Sequence, residues 1–151
     1  IIMNDKKIKW TEQTPENIEY LKKKAGDKSN YNHRIYAINQ LKKFKCRQSI
    51  DILWRLMMND LVYTVKEEAF RALQAFGEDV KLPRKKKGHL IKDINKKVIA
   101  VGNTFNGDFE IEEFKKRFQQ RYPEAYDVYQ YEKRKKFEEW IINTLKSAPK
   151  K

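Results

Sequence analysis

The chain contains one cysteine, two histidines, five glycines and four prolines in 151 residues, and each scarcity removes a class of protein. A lone Cys46 cannot close an intrachain disulfide, so stability must come from a packed core, and a reducing compartment is expected. That cysteine and the scattered His33 and His89 match no structural zinc spacing, so neither a metal nor any other cofactor is expected. Five dispersed glycines leave no glycine-rich loop ahead of a helix, which argues against a phosphate cradle of the nucleotide-hydrolysing or dinucleotide-binding kind. Cys46 lies in a lysine-flanked turn, but nothing sets either histidine beside it, so no catalytic residue and no enzymatic activity are expected. No apolar run approaches the roughly 18–20 residues of a membrane span, and no charged-then-apolar leader precedes a small-residue cleavage site. The expectation is a cytoplasmic protein with no membrane partner. The chain opens Ile1-Ile2-Met3, and these residues are set aside in reasoning about the fold.

What is abundant is hydrophobic content, at 40%, enough for a real core, and positive charge, at a net +13. The charge is unevenly placed. Residues 81–100 carry eight basic side chains against one acid, whereas each of the segments 1–30, 31–80 and 101–151 contributes only +2. Within that stretch, LPRKKKGHLIKDINKK (82–97) concentrates Arg84, Lys85, Lys86, Lys87, Lys92, Lys96 and Lys97 around a single acid, Asp93. Concentrated charge raises the local potential and favours anionic partners through steering and counterion release. A compositional cause competes: lysine outnumbers arginine 26 to 8, as AT-rich coding would produce without selection for binding.

Two segments repeat. YAINQLKKF (36–44) and EAFRALQAF (68–76) align without gaps at an offset of 32, pairing Ala37 with Ala69, Leu41 with Leu73 and Phe44 with Phe76. Each reads as a helix with apolar residues three and four apart: Ala37, Ile38, Leu41, Phe44, then Val65, Ala69, Leu73, Phe76. Thr64-Val65-Lys66-Glu67 has the form of a capping box, and Gly77 suits a left-handed helix stop. A helix precedes each copy: Thr14-Pro15 should cap and open the first, which stops at Gly26, and Ser49 should cap the other, SIDILWRLMM (49–58). The pattern predicts two antiparallel helical hairpins, near 14–44 and 49–76.

These stretches, NHRIYAINQLKKF and SIDILWRLMMNDLVYTVKEEAFRALQAFG, resemble HEAT repeats of the short bacterial type. In that family an Asp ends the first helix, a Val-Arg-like pair opens the second, and Ala and Leu follow at helical spacing before Gly. Asp60, Val65-Lys66, Ala69, Leu73 and Gly77 stand at those places, as do His33-Arg34, Ala37 and Leu41 in the first copy. The departures are Lys66 for the usual Arg, and Asp27, one place earlier than the period requires. The resemblance covers residues 14–77 and implies that Arg34 and Asp60 are scaffold groups tying neighbouring repeats together. It also raises a minor alternative, an alkylpurine DNA glycosylase-like protein using Trp54 with Asp51 or Asp60.

Two repeats need a cap, because stacked arrays require roughly three units to be stable. HLIKDINKKVIAV (89–101) is the candidate, with Leu90, Ile94, Val98 and Val101 on one stripe. FEIEEFKKRFQQRY (109–122) is expected as a further helix interrupted by Pro123, and EKRKKFEEWIINTLKS (132–147) as the last, with Phe137, Trp140, Ile141 and Leu145 aligned. Tyr126, Tyr129 and Tyr131 fit either packing at a helix junction, which is favoured, or a stacking platform for single-stranded nucleic acid.

The expected architecture is therefore all-α: an α-α superhelix of two HEAT-like hairpins (1–80), a basic connecting loop (81–88), and a helical C-terminal region (89–151) packed on the last repeat. Two partner classes fit a non-enzymatic binding module. Nucleic acid or another polyanion could be held by Arg84, Lys85, Lys86 and Lys87, with Lys92 and Lys96 four apart on one helix and Lys97 close by. Alternatively, the inner surface of the repeats grips a protein partner and the basic run is a solvated linker bracketed by Pro83 and Gly88.

Overall fold

The computed structural model describes residues 10–149, and the Ile1-Ile2-Met3 opening lies outside them. Apolar residues at helical spacing dictate helices throughout. Among the described residues the chain forms α1 (Ile18–Ala25), α2 (Tyr31–Leu41), α3 (Arg47–Asn59), α4 (Tyr63–Ala75), α5 (Ile94–Gly102), α6 (Ile111–Arg121), α7 (Pro123–Lys133) and α8 (Phe137–Lys146). A single turn of 3-10 helix, Arg134–Lys136, joins the last two. The only extended pairing among these residues is an isolated parallel bridge between Thr11 and Phe44, and no helix is long and apolar enough to cross a membrane. The chain divides into two compact units, Ile1–Lys85 and Lys86–Lys151.

In the first unit α1 packs on α2 and α3 on α4, while α2 also meets α4 and α1 meets α3, so hairpin lies on hairpin. Burial follows the 32-residue spacing at two of its three pairs: Ala37 and Ala69, and likewise Leu41 and Leu73, are wholly buried, whereas Phe44, beyond the end of α2, is half-buried and Phe76 buried. Small alanines at these places let the helix backbones approach closely, and each buried leucine contributes roughly 1.5–3 kcal/mol over an exposed one. Beyond α4, the Gly77 N–H donates to Gln74 O and the Glu78 N–H to Leu73 O, with Gly77 at φ +89°. That pair of bonds is the Schellman stop expected from the glycine.

Arg34 is the polar centre of this unit. Its Nε donates to Asp60 Oδ2 at 2.7 Å and its Nη2 to Asp60 Oδ1 at 3.1 Å, and both side chains are only 5% exposed. Its Nη1 donates to the Asp27 carbonyl at 2.7 Å. Asp60 Oδ1 also accepts the Val62 N–H at 2.9 Å. One guanidinium therefore ties α2 to the turn between α3 and α4 and to the turn before α2. Lys66, one period after Arg34, donates to the Met58 carbonyl at 3.1 Å; burial pushes its ammonium below the usual lysine range, against the raising effect of Asp60. The early Asp27 holds its own turn, with Oδ1 accepting from the Ser29 hydroxyl at 2.6 Å and Oδ2 lying 2.6 Å from His33 Nδ1.

Helix starts depart from the sequence expectation, each for a local reason. Asp60 fixes the Val62 N–H, so α4 begins at Tyr63 with Val62 in the capping position, and Thr64 falls inside the helix instead of capping it. Cys46 occupies the capping position of α3, which places Ser49 within the first turn, buried, with its hydroxyl 3.3 Å from Cys46 Sγ. Burial pushes the Cys46 thiol up, but hydrogen bonds with Ser49, Thr14 and Gln48 together outweigh it and hold the thiol below its ordinary value. Thr14-Pro15 precede α1 without capping it: the Pro15 carbonyl accepts the Ile18 N–H, and the helix begins at Ile18.

In the second unit α5 meets α6 and α8, and α7 meets α6 and α8. This unit holds four α-helices where three are expected, because Pro123 opens a helix as well as ending one. It sits in the first turn of α7, where the missing N–H is no loss. The AYDVYQY segment is thereby helical. The core is aromatic: Phe118 and Phe137 lie 6.1 Å apart, nearly parallel, and Tyr126 meets both edge-on at 5.4 Å. Gly102 admits α8, since a side chain there would meet Leu145 at 2.8 Å. The helix expected over 89–101 starts only at Ile94, because Asp93 takes the left-handed conformation at φ 59°. The helix expected over 132–147 is broken by Arg134, at φ 48°.

Replacing Arg34 by Ala should destabilise the first unit by about 3–5 kcal/mol, because Asp60 is left buried and unpaired, whereas the apolar pair Arg34→Met/Asp60→Leu should cost far less. Urea unfolding followed by amide exchange in α2–α4 checks both. Asp27 supplies a pH signature. Hydrogen bonds from Ser29, joined by His33, hold its carboxyl at about 2 against an ordinary 3.8. Its stabilisation is thus complete above the ordinary value and is lost as pH falls through the lower one. Asp27→Asn should cost about 1 kcal/mol at about pH 5 and little at about pH 2, measured as the shift in urea midpoint.

Candidate polyanion-binding surface

The basic run has no regular structure. Residues 78–87 form neither helix nor turn, and Gly88 follows at φ +80°. Proline at 83 and repulsion among adjacent cations both oppose a helix there. On the first unit the run is tied down where it begins: the Tyr63 hydroxyl donates to the Pro83 carbonyl at 3.5 Å. Arg84 and Lys85 follow, both exposed.

On the second unit, Lys86 and Lys87 are exposed, as are Lys92 and Lys96. None of Arg84, Lys86, Lys87, Lys92 or Lys96 makes an ion pair among the described residues, whereas Arg34, Arg47, Arg71 and Lys115 each do. Glu138 holds the Lys115 ammonium above its ordinary range, the opposite of a charge offered to a ligand. Lys92 is not on the helix that carries Lys96, because Asp93 ends the continuity between them, so the expected four-residue spacing along one face is not formed. Lys97 is half-buried and committed to structure, donating to the Lys92 carbonyl at 3.3 Å with its ammonium 5.7 Å from the Tyr122 ring centroid.

What positions the run on this unit is Tyr129. Its hydroxyl accepts the N–H groups of Leu90 and Ile91, at 3.0 and 3.3 Å, and its ring stacks on Trp140 at 4.9 Å and 9°. Two backbone donors that the irregular chain cannot satisfy are satisfied by a phenol held between helices. The tyrosines consequently serve packing: Tyr126 and Tyr129 are 8% and 3% exposed, and Arg134 covers the Tyr131 ring at 4.4 Å. Burial pushes the Tyr126 phenol up.

The carboxylates considered for base excision are occupied elsewhere. Both Asp60 oxygens bond Arg34, and Asp51 is exposed, 3.4 Å from Arg47 one turn away on α3. Trp54 is half-buried on α3. A second basic run, Lys133-Arg134-Lys135-Lys136, escapes the sequence reading because it lies inside a segment with helical periodicity and passes for the solvated face of a helix; the structure places Arg134, Lys135 and Lys136 exposed in the 3-10 turn. No protein-family model matches this chain, and no curated protein or solved structure matches it significantly.

Tyr129→Phe removes the acceptor and keeps the ring. It should cost about 1–2 kcal/mol and selectively accelerate amide exchange at Leu90 and Ile91, which exchange measurements resolve residue by residue.

Proposed function

We propose that the chain is a non-enzymatic binding module that holds nucleic acid or a comparable polyanion through the basic run beginning at Arg84. The observation that carries this reading is the concentration of exposed cations without carboxylate partners in one short irregular segment, Arg84, Lys86 and Lys87, where Arg34, Arg47, Arg71 and Lys115 elsewhere are paired. An unpaired cation gains when it replaces the condensed counterions of a phosphate backbone, and a row of them gains repeatedly. Such contacts supply affinity without sequence choice, since phosphates carry no base identity. A HEAT-type reading of the first unit accompanies this proposal, supported by the Arg34–Asp60 pair between positions of the repeat and by the matched burial of Ala37 and Ala69.

The alternative, a protein-docking scaffold, draws on Tyr36, which is 44% exposed on α2. Titration of labelled duplex and single-stranded DNA and RNA separates the two. Wild-type affinity should fall steeply with salt, and Lys85/Lys86/Lys87→Ala should weaken binding roughly tenfold or more at low salt and flatten the salt dependence by about one to two slope units. Unchanged affinity in that variant refutes the role of the run, and absence of binding at low salt transfers the assignment to a protein partner.

A further inference from the structure

Resting on the polyanion reading, we infer that Lys133-Arg134-Lys135-Lys136 is a second half of the same surface, and that the two runs together grip the phosphate backbone of a nucleic-acid duplex. The runs are far apart in sequence, and Tyr129 joins them. Its hydroxyl is bonded to Leu90 and Ile91. Lys92 is the next residue in the chain, and Lys87 is three residues before Leu90, so its Cα lies within roughly 11 Å of that anchored residue. From the same tyrosine, one helical turn along α7 leads to Lys133, whose ammonium lies 5.7 Å from the Trp140 ring on which Tyr129 stacks. Lys136 stands one turn before Trp140 on the adjoining chain. One stacked aromatic pair is thus the shared footing of Lys87 and Lys92 on one side and of Lys133 and Lys136 on the other.

The backbone of the second run is strained at its second residue. Arg134 holds φ 48° and ψ −118°, outside the regions favoured by side chains with a Cβ, and strain of this kind persists only where the surroundings over-determine it. Stacking of the guanidinium on Tyr131 supplies part of that determination. Lys135 and Lys136 are left exposed with no carboxylate partner among the described residues, and Asp93 is the one acid between Lys86 and Lys97.

The rings decide which nucleic acid fits. Recognition of single strands relies on aromatic faces open to unstacked bases. Here Trp140 is stacked on Tyr129, the Tyr131 ring lies under Arg134, and Tyr126 is sealed between Phe118 and Phe137. A surface offering cations and no open ring suits the regularly spaced phosphates of a duplex.

The test titrates the full chain with a fluorescent duplex of about 20 base pairs, and with a single strand of equal length, over about 50–200 mM salt. The proteins are the wild type, Lys86→Gln/Lys87→Gln, Lys135→Gln/Lys136→Gln, and the four substitutions combined; all altered residues are exposed, and unchanged thermal melting verifies folding. Loss of roughly three- to tenfold in each pair, losses that multiply in the combined variant, and a salt slope shallower by up to about two units per pair support a shared surface. If the 86/87 pair weakens binding and the 135/136 pair does not, this inference fails while the polyanion reading stands. If the wild type binds neither nucleic acid at low salt, both fail. Much tighter binding of the single strand than of the duplex overturns the duplex assignment.

Discussion

A guanidinium withdrawn from water must find an acceptor for each donor it brings, and the first unit is organised around meeting that demand for Arg34. Asp60 accepts from two of its nitrogens and the Asp27 carbonyl from the third. Because the acceptors sit on two different turns, satisfying the charge fixes α2 against both, and α4 inherits its starting point through the Asp60–Val62 bond. The buried apolar residues, Ala37, Leu41, Ala69 and Leu73 among them, supply the bulk of the favourable free energy, yet such contacts are not directional. The ion pair is directional, and it is satisfied only where α2 meets both turns, while its net contribution to stability is reduced by the cost of burying the charges.

The second unit solves the matching problem with aromatic rings. Phenylalanines fill its centre with Tyr126 between them, and Tyr129, stacked on Trp140, carries the hydroxyl that reaches the connecting segment. Tyr129 completes the hydrogen bonding of a segment that belongs to no helix, so the last residues of the connection are held by the unit's own core. A cationic segment without regular structure is thereby oriented close to its point of attachment.

Much of this was legible as a pattern of letters. The stripes in residues 36–44 and 68–76 encode burial directly, since helical periodicity is the projection of a packed face onto the sequence, and Gly77 marks a stop because few other residues adopt its conformation cheaply. Helix beginnings were harder, because several side chains compete for the same N–H groups: Ser49 and Thr64 each had the right chemistry one or more residues too late, and Asp60, through its tie to Arg34, settled where α4 starts. Asp93 and Arg134 were invisible for another reason. Neither residue is a glycine, the usual letter for such a backbone, so nothing in the sequence announces the break. The pairing of Lys92 with Lys96 failed with the first, and the run at Lys133–Lys136 stayed hidden with the second.

The tether from α4 to the basic run is held at both ends. α4 covers about 20 Å, and the chain must travel back from Gly77 at its far end toward Tyr63 at its near end, where the Pro83 carbonyl is held. Six residue steps provide roughly 20 Å when nearly straight. Most surface connections absorb insertions and deletions with small penalties, but here the glycine stop bonds one end and Tyr63 the other, so a change of length has to be taken up between them.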